Sequence, residues 1–584
     1  MTRRRTLLVV VAAVAAALVL SGCVGMPESG PVVETQSGGG VAGQPGVYID
    51  PRPPQEGATR AEIVQGFLAA MTATPIQTNT AREFLTQDAA ASWTPEDETI
   101  TYAGNPRIAE SGVGVSVTLR DPDHLDAQGA WQGPLPRARR IVQLPMAFEE
   151  GEWRIDRAPD ALIVPESWFA RRYRQVSLYY FDPTASILAP EPVFVPKGKQ
   201  LASTLTQALL LGPSAGLDRV VRSFIPPGLT VNLSVPISDE GIADIGLKGD
   251  GGDLTPQSIE LMMAQLAWTL RQEDEIEALR VSINGQSVPL PGGVSAYRVD
   301  GGSEYDPAGW QASPLLYGLR EGRLASGAGG TLEPVSGPMG ADALGVRSVG
   351  VSLTATRAAG VTEDGRSVVA APVSGRDAGQ ARTVVTGGTD LLEPAWDFSD
   401  RMWLVDRTAG GAAVSYVGER GRHELEVPGI TGRQVRSFVV SRDGTRLVAV
   451  VRRPAGDELV LSRIARDRSG RILWATPARP ISGEPDSDLP MRAIAWRTPT
   501  SLAILSPFAA TNKLVQLYLA SVDGAPAADG TSTTVPGPLR SLAGSPAAGD
   551  PLFGVGRRSM VNLSAADRPT VPLASGTTGV TYVG

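Results

Sequence analysis

Few side chains in this 584-residue sequence could do covalent chemistry. The one cysteine, Cys23, stands just beyond an apolar segment, residues 7–20, which itself follows Arg3, Arg4 and Arg5. At about 1.5 Å rise per residue the segment is too short to span a bilayer, and small residues, Ser21 and Gly22, come after it. Basic, apolar and small stretches in that order read as an export signal. An exported chain has little use for a single unpaired thiol. The residues after Cys23 are too poor in apolar side chains to bury it as a small hydrophobe. The thiol is expected to be used, not packed away.

The string Leu20-Ser21-Gly22-Cys23 resembles the bacterial lipobox. The resemblance implies cleavage between Gly22 and Cys23 and a diacylglyceryl group on the Cys23 thiol. It further implies a palmitate-type acyl chain on the new amine. Two acyl signals suffice for stable anchoring, so the mature protein is expected at the cell membrane, tethered on its extracytoplasmic face.

Other apparent motifs dissolve on inspection. Gly212-Pro213-Ser214-Ala215-Gly216 matches Gly-x-Ser-x-Gly, but a nucleophile elbow needs a strand before it and a helix after it. Here a helix precedes and Pro213 favours a stop, so Ser214 is expected in a turn. The only histidines, His124 and His423, fall in segments that read as loops, and no Cys/His/carboxylate cluster has zinc spacing. Acidic runs at 250–253 and 484–488 lack the alternation and distal glutamate of a calcium loop and read as solvated. No phosphate-binding loop or dinucleotide fingerprint occurs. No catalytic residue, metal site or cofactor is expected, and the chain is read as a non-enzyme.

The formal charge is −8, and removal of the signal arginines makes it more negative. With lysine confined to Lys197, Lys199, Lys248 and Lys513, an acidic chain lacking a basic block is not expected to bind nucleic acid. Arginine patches at 137–140, 171–172 and 452–453 could pair with carboxylates or contribute to a protein-binding surface.

The elements divide the chain into five parts: a signal peptide (1–22), a Gly/Pro/Ser-rich flexible linker (23–57), and domains at 58–165, 166–306 and 307–584. Thr59 and Glu62 have capping-box spacing, and Ile63, Phe67, Ala70 and Met71 share a helical face. A short helix is expected at 81–85. A meander follows, with strands through Val113, Val115, Val117 and Leu119, at 141–148 and at 153–155. This α+β order is similar to the nuclear transport factor 2 (NTF2-like) cone, taken as a scaffold.

The next domain presents a helix through Leu201, Leu205, Ala208 and Leu209, then strands at 229–235 and 242–247. A helix capped by Thr255 with Pro256 at its first position comes next, and a strand at 279–283 turns at Asn284-Gly285. That order, with Leu211-Gly212-Pro213 and Ile225-Pro226-Pro227-Gly228, resembles the α/β GerMN domain. Beyond residue 307, apolar strands flank recurring Asp-Gly-type turns at 362–365, 395–400, 441–444, 498–499 and 541–550. Their spacing predicts an all-β propeller of five to seven blades.

The whole series resembles the LpqB lipoproteins of actinobacteria. The carriers are the lipobox followed by Pro27-Glu28-Ser29-Gly30-Pro31, the strings Gly66-Phe67-Leu68 and Arg82-Glu83-Phe84-Leu85, the GerMN-like unit and the propeller repeats. The resemblance implies binding to the extracellular domain of a sensor histidine kinase (MtrB-like), as an accessory of MtrA–MtrB two-component signalling in envelope homeostasis and cell division. Two competitors remain. One is a ligand-binding lipoprotein that senses cell-wall or lipid fragments. The other is an envelope hydrolase or lyase built on converging carboxylates.

Overall fold

The computed structural model describes residues 51–584, apart from 75, 113, 253, 376–379, 482–489, 509–513 and 527–531. Gly22 and Cys23, the signal and most of the linker lie outside these residues, as does the acidic run at 484–488.

The helix Arg60–Ala70 begins as its capping box dictates: Glu62 N donates to Thr59 Oγ1 at 3.3 Å, and Thr59 N donates to Glu62 Oε2 at 2.8 Å. Its Ile63, Phe67 and Ala70, with the capping Met71, are buried in the core of the first unit. The next helix is shorter than expected, Asn79–Arg82. The backbone of Phe84 and Thr86 leaves it to pair with Ile155, at 2.9 Å in both bonds. Two four-stranded sheets follow. One is the expected meander: Arg107–Ser111, Gly114–Thr118, Ile141–Glu149 and Glu152–Ile155. The other, built from Glu98–Tyr102, Asp123–Asp126, Trp131–Pro134 and Leu162–Pro165, has a parallel pair between its first and last members.

The second unit starts with an antiparallel hairpin of two nine-residue strands, Tyr173–Phe181 and Leu188–Pro196. The helices Leu201–Leu210 and Pro256–Leu270 supply Leu205, Leu209, Met262 and Leu266 to a core shared with Ile245, Leu247, Leu279 and Val281. Pro256–Leu270 is the crossover between the parallel strands Ile242–Lys248 and Ala278–Ile283. Asn284 and Gly285 both take positive φ, 50° and 81°, as the tight turn requires. The strand expected at 229–235 is only Thr230–Val231. Asn232 makes one more ladder bond, to Gly246 O at 2.8 Å, and then Leu233 turns fully into solvent. Past Pro236, which has no N–H to donate, the pairing resumes only as an isolated bridge between Ile237 and Ala243.

Among the described residues the third unit is six successive antiparallel sheets, five of them built on a four-stranded meander. The last strand of the chain, Thr577–Thr581, pairs with Leu316–Arg320 of the first sheet, so the succession closes on itself. Four of the five expected turns join the first and second strands of their sheets. The turn at 362–365 joins the second and third, Arg357–Thr362 and Val368–Pro372. The equivalent turn of that sheet is 352–356, which has no glycine and sets Ala355 at φ 53°. Among the described residues, no helix is long and apolar enough to cross a membrane.

Candidate functional site

The residues with chemical potential lie apart. Ser214 sits in the turn after Leu201–Leu210, where Gly212 has φ +79° and Tyr180 Oη donates to its carbonyl at 2.9 Å. Ser214 lines a cavity of about 240 Å³ that no histidine enters. Both histidines are on strands, not loops, because their backbones complete ladders. His124 pairs in register with Ile100, and its Nδ1 lies 2.7 Å from Glu98 Oε1. His423 is in the outer strand Gly421–Glu424 of the third sheet, stacked on Tyr416. Asp250 Oδ1 accepts from Gly252 N at 2.9 Å, an ordinary loop bond. Among the described residues, no three His, Cys, Asp or Glu side chains are grouped to hold an ion.

The dominant polar construction is one the sequence reading missed. Glu191, on the second strand of the hairpin, is buried and accepts from Arg446 Nη2 at 2.7 Å and from Arg463 Nη2 at 2.6 Å. Arg446 has no exposed surface; it also donates to Pro190 O and, at 3.2 Å, to Asp443 Oδ2. Asp443 is the aspartate of the turn at 441–445. Its Oδ1 accepts from Ser441 Oγ and Thr445 N, both at 2.7 Å, so one carboxylate shapes the turn and orients Arg446. Burial pushes the Glu191 carboxyl up, but Arg463 and Arg446 outweigh it and hold the group below the ordinary carboxylate range.

A second tie runs from Gln175, on the other hairpin strand, to Ser521 Oγ and Asp523 Oδ2, both at 3.0 Å. The hairpin also meets the first unit. Phe194 N donates to Gly129 O at 2.8 Å, and the Phe194 ring lies against Trp131 and Phe169. The hairpin is therefore a strut with polar bonds to the sheets on one side and aromatic contacts to the first unit on the other. The cavity beside Ser214 lies at this junction, lined by Trp131, Glu191, Arg463, Arg479 and Asp523.

Arg442 joins other segments. It donates to Ala308 O at 2.7 Å, Ser545 Oγ at 3.1 Å and Val583 O at 2.9 Å. Burial pushes its guanidinium down to about 10, the nearest carboxylates acting only at a distance. Nearby, Asp397 accepts from Arg466 at 2.7 Å and from Trp403 Nε1 at 3.0 Å. The sequence did carry a signal for the strut: Glu191 is the only charge in the apolar run 187–195. A lone acid in a strand buried along most of its length requires a cationic partner.

A hairpin strut, an α/β unit and a closed succession of antiparallel sheets define a multidomain protein with a GerMN-like unit and a β-propeller. Three family profiles match: "Lipoprotein LpqB, N-terminal domain" at residues 53–170, "Sporulation and spore germination" at 177–289, and "Lipoprotein LpqB beta-propeller domain" at 322–568. Lipoprotein LpqB of Streptomyces coelicolor is 30% identical over 541 residues, covering 86% of each chain. That of Thermobifida fusca is 28% identical over 612 residues, covering 94% of this chain and 95% of its own. The first GerMN domain of the sporulation protein GerM from Bacillus subtilis is 21% identical, with a TM-score of 0.18, over 21% of this chain and 97% of that one. The chain belongs to the LpqB lipoprotein family.

Proposed function

We propose that the protein is acylated at Cys23 after cleavage behind Gly22 and held on the extracytoplasmic face of the cell membrane. There it binds and modulates an MtrB-like sensor histidine kinase of a two-component system in envelope homeostasis and cell division. In this reading the first unit is an NTF2-like scaffold, the six sheets are propeller blades, and no residue is catalytic.

The observation that supports it most is the distribution of contacts around the sheets. The turn at 441–445 and the Arg446 that follows it are engaged by Ala308, Pro190 and Glu191 of the same chain, whereas at the opposite ends of the sheets residues 433–434 and 557–558 line cavities. A rigid body with one free loop-lined end suits recognition of another macromolecule. Tethering raises the effective concentration seen by a neighbour in the same membrane, so a weak interface suffices.

The test is crosslinking in intact cells with identification of attached proteins, together with phosphorylation of the cognate response regulator in a deletion strain. A kinase ectodomain among the partners and altered phosphorylation are expected. Unchanged phosphorylation with no kinase captured overturns the reading. Cys23→Ser should abolish lipid labelling and processing; a variant that stays in membranes, processed and unlabelled, overturns the anchor.

A further inference from the structure

The strand Val435–Val440 has two different ends. One leads into the turn at 441–445 and the buried contact with Glu191. The other, about 20 Å away at roughly 3.3 Å per residue, opens on a cavity of about 290 Å³. Arg407, Arg433, Arg436 and Arg452 line it with Thr408 and Gln434, and among the described residues no acidic side chain does.

The cavity wall is firmly built. Gly411, at φ +100°, lies so close to Gly432 that a Cβ there would come within 2.3 Å of its carbonyl carbon. Ala412 N donates to Arg433 O at 2.7 Å, Gly432 N to Ala412 O at 2.9 Å, and Arg452 N to Gln434 O at 2.8 Å. These bonds fix the backbones that carry two of the four arginines, Arg433 and Arg452.

Among the described residues the acids do not neutralise the four. Arg407 bonds to Asp390, but Arg347 also holds Asp390, at 2.6 Å. Arg436 takes Asp457 Oδ1 at 2.8 Å, and Asp457 Oδ2 is occupied by Met491 N at 3.0 Å. Arg433 and Arg452 have no acceptor among the described residues, although neighbouring Arg453 is paired with Glu458 at 2.8 Å. Like charges brought together without counterions repel. In a chain of formal charge −8 the concentration of guanidinium is local, not compositional. The sixth sheet repeats it. Its turn between second and third strands is Arg557-Arg558, in the position held by Ala409-Gly410 in the third sheet, and it lines a cavity of about 460 Å³ that is again without an acid among the described residues.

We propose that this end of the sheets is a binding site for phosphate-bearing ligands, with Arg433 and Arg452 supplying the free guanidinium groups and the paired Arg407 and Arg436 fixing the rim. The planar fork of arginine matches a phosphoryl oxyanion in two-point fashion. The cavity is near the lower end of small-ligand sites, suited to a phosphate group with one further small moiety. The inference goes beyond the kinase reading and stands or falls separately from it.

The test uses the full-length protein in neutral detergent micelles, with inorganic pyrophosphate as the calorimetric probe. Saturable binding is expected, weakened about tenfold or more in the Arg433→Ala/Arg452→Ala double variant, since each charged hydrogen bond contributes substantially to affinity. Arg280→Ala, on the distant GerMN-like sheet, should bind as the parent does. A second arm dopes the micelles with phosphatidylglycerol, or with phosphatidylcholine as the zwitterionic control. If only phosphatidylglycerol gives a response, and the double variant loses it, the phosphate is a lipid headgroup's. A response to pyrophosphate lost in the same variant assigns a free or polymer-borne phosphate. Equal binding by parent and double variant, or none in either arm, overturns the proposal.

Discussion

The two ends of the strand Val435–Val440 use arginine in opposite ways. At the turn end, Arg446 has no exposed surface, and Glu191, Asp443 and Pro190 O accept from it. At the cavity end, Arg433 and Arg452 are exposed and have no acceptor among the described residues. A buried guanidinium is tolerated only where acceptors replace the water it loses. An exposed one without acceptors contributes little to the fold and is free to meet something else. The comparison separates charges that assemble the molecule from charges available to a ligand.

The sharpest way to break it is to remove the acid that the buried pair shares. Glu191→Gln leaves Arg446 and Arg463 in the junction without their carboxylate and should cost about 3–5 kcal/mol in denaturant unfolding. Replacing all three residues by apolar ones of similar size should recover much of that, because the desolvation cost goes with the charges. The folded-state pKa of Glu191 is lowered, so its contribution is present above the ordinary carboxylate range and is lost as pH falls through the lowered value. The deficit of the variant should therefore shrink in acid. A Glu191→Gln protein as stable as the parent at pH 7 would mean that the strut is not held by these charges.

Arg442→Met tests the same end with a neutral outcome for the carboxylates. It strips donors from Ala308 O, Val583 O and Ser545 Oγ, and should cost about 2 kcal/mol by leaving buried carbonyls unpaired. A loss as large as that for Glu191→Gln would show that hydrogen bonding, not compensation of charge, sets the stability of this region.

The paired end was only partly legible. Asp443-Gly444 announces a turn, since glycine takes positive φ there and the aspartate bonds its own backbone. That much is local, and the capping box of Thr59, the Pro256 helix and the Asn284-Gly285 turn were readable for the same reason. Arg446 meeting Glu191 depends on residues 255 positions apart, which periodicity does not encode. The hairpin at 173–196 was hidden because prolines 190 and 192 argue against a strand. The first of the six sheets has no turn between its two inner strands, because the innermost one comes from the end of the chain. Leu233 misled in the other direction: it keeps the alternation of Leu229, Val231 and Val235, yet it is fully exposed.

A third kind of charge sharpens the comparison: a half-buried carboxylate with no cation bonded to it. Burial, and then Glu166, push Asp123 up to about 6. Its folded-state pKa lies above the unfolded value, so its contribution is complete below about pH 4 and lost as pH rises through about 6. At neutral pH the ionised group is a small liability. Asp123→Asn should stabilise the protein by about 1 kcal/mol at pH 7.5, after allowing for solvent screening, and by nothing at pH 4. Parallel melts of parent and variant at the two pH values check this, and an equal difference at both would remove ionisation as the cause.

The smallest effect is expected at the open end, and its smallness is the point. Arg433→Ala/Arg452→Ala removes two charges that have no acceptor among the described residues and lie beside two other arginines. The backbone bonds of the cavity wall, Ala412 N to Arg433 O and Arg452 N to Gln434 O, do not involve the deleted atoms. Surface changes of this kind fall within about 0.5 kcal/mol, and relief of like-charge repulsion gives the shift a stabilising sign at low salt. Added salt should shrink it, because screening already weakens repulsion between exposed groups. Melting curves of parent and double variant at low and at physiological ionic strength are the measurement. A clear loss of stability would place these arginines with Arg446 among the residues that assemble the fold, and the distinction between the two ends of the strand would fail.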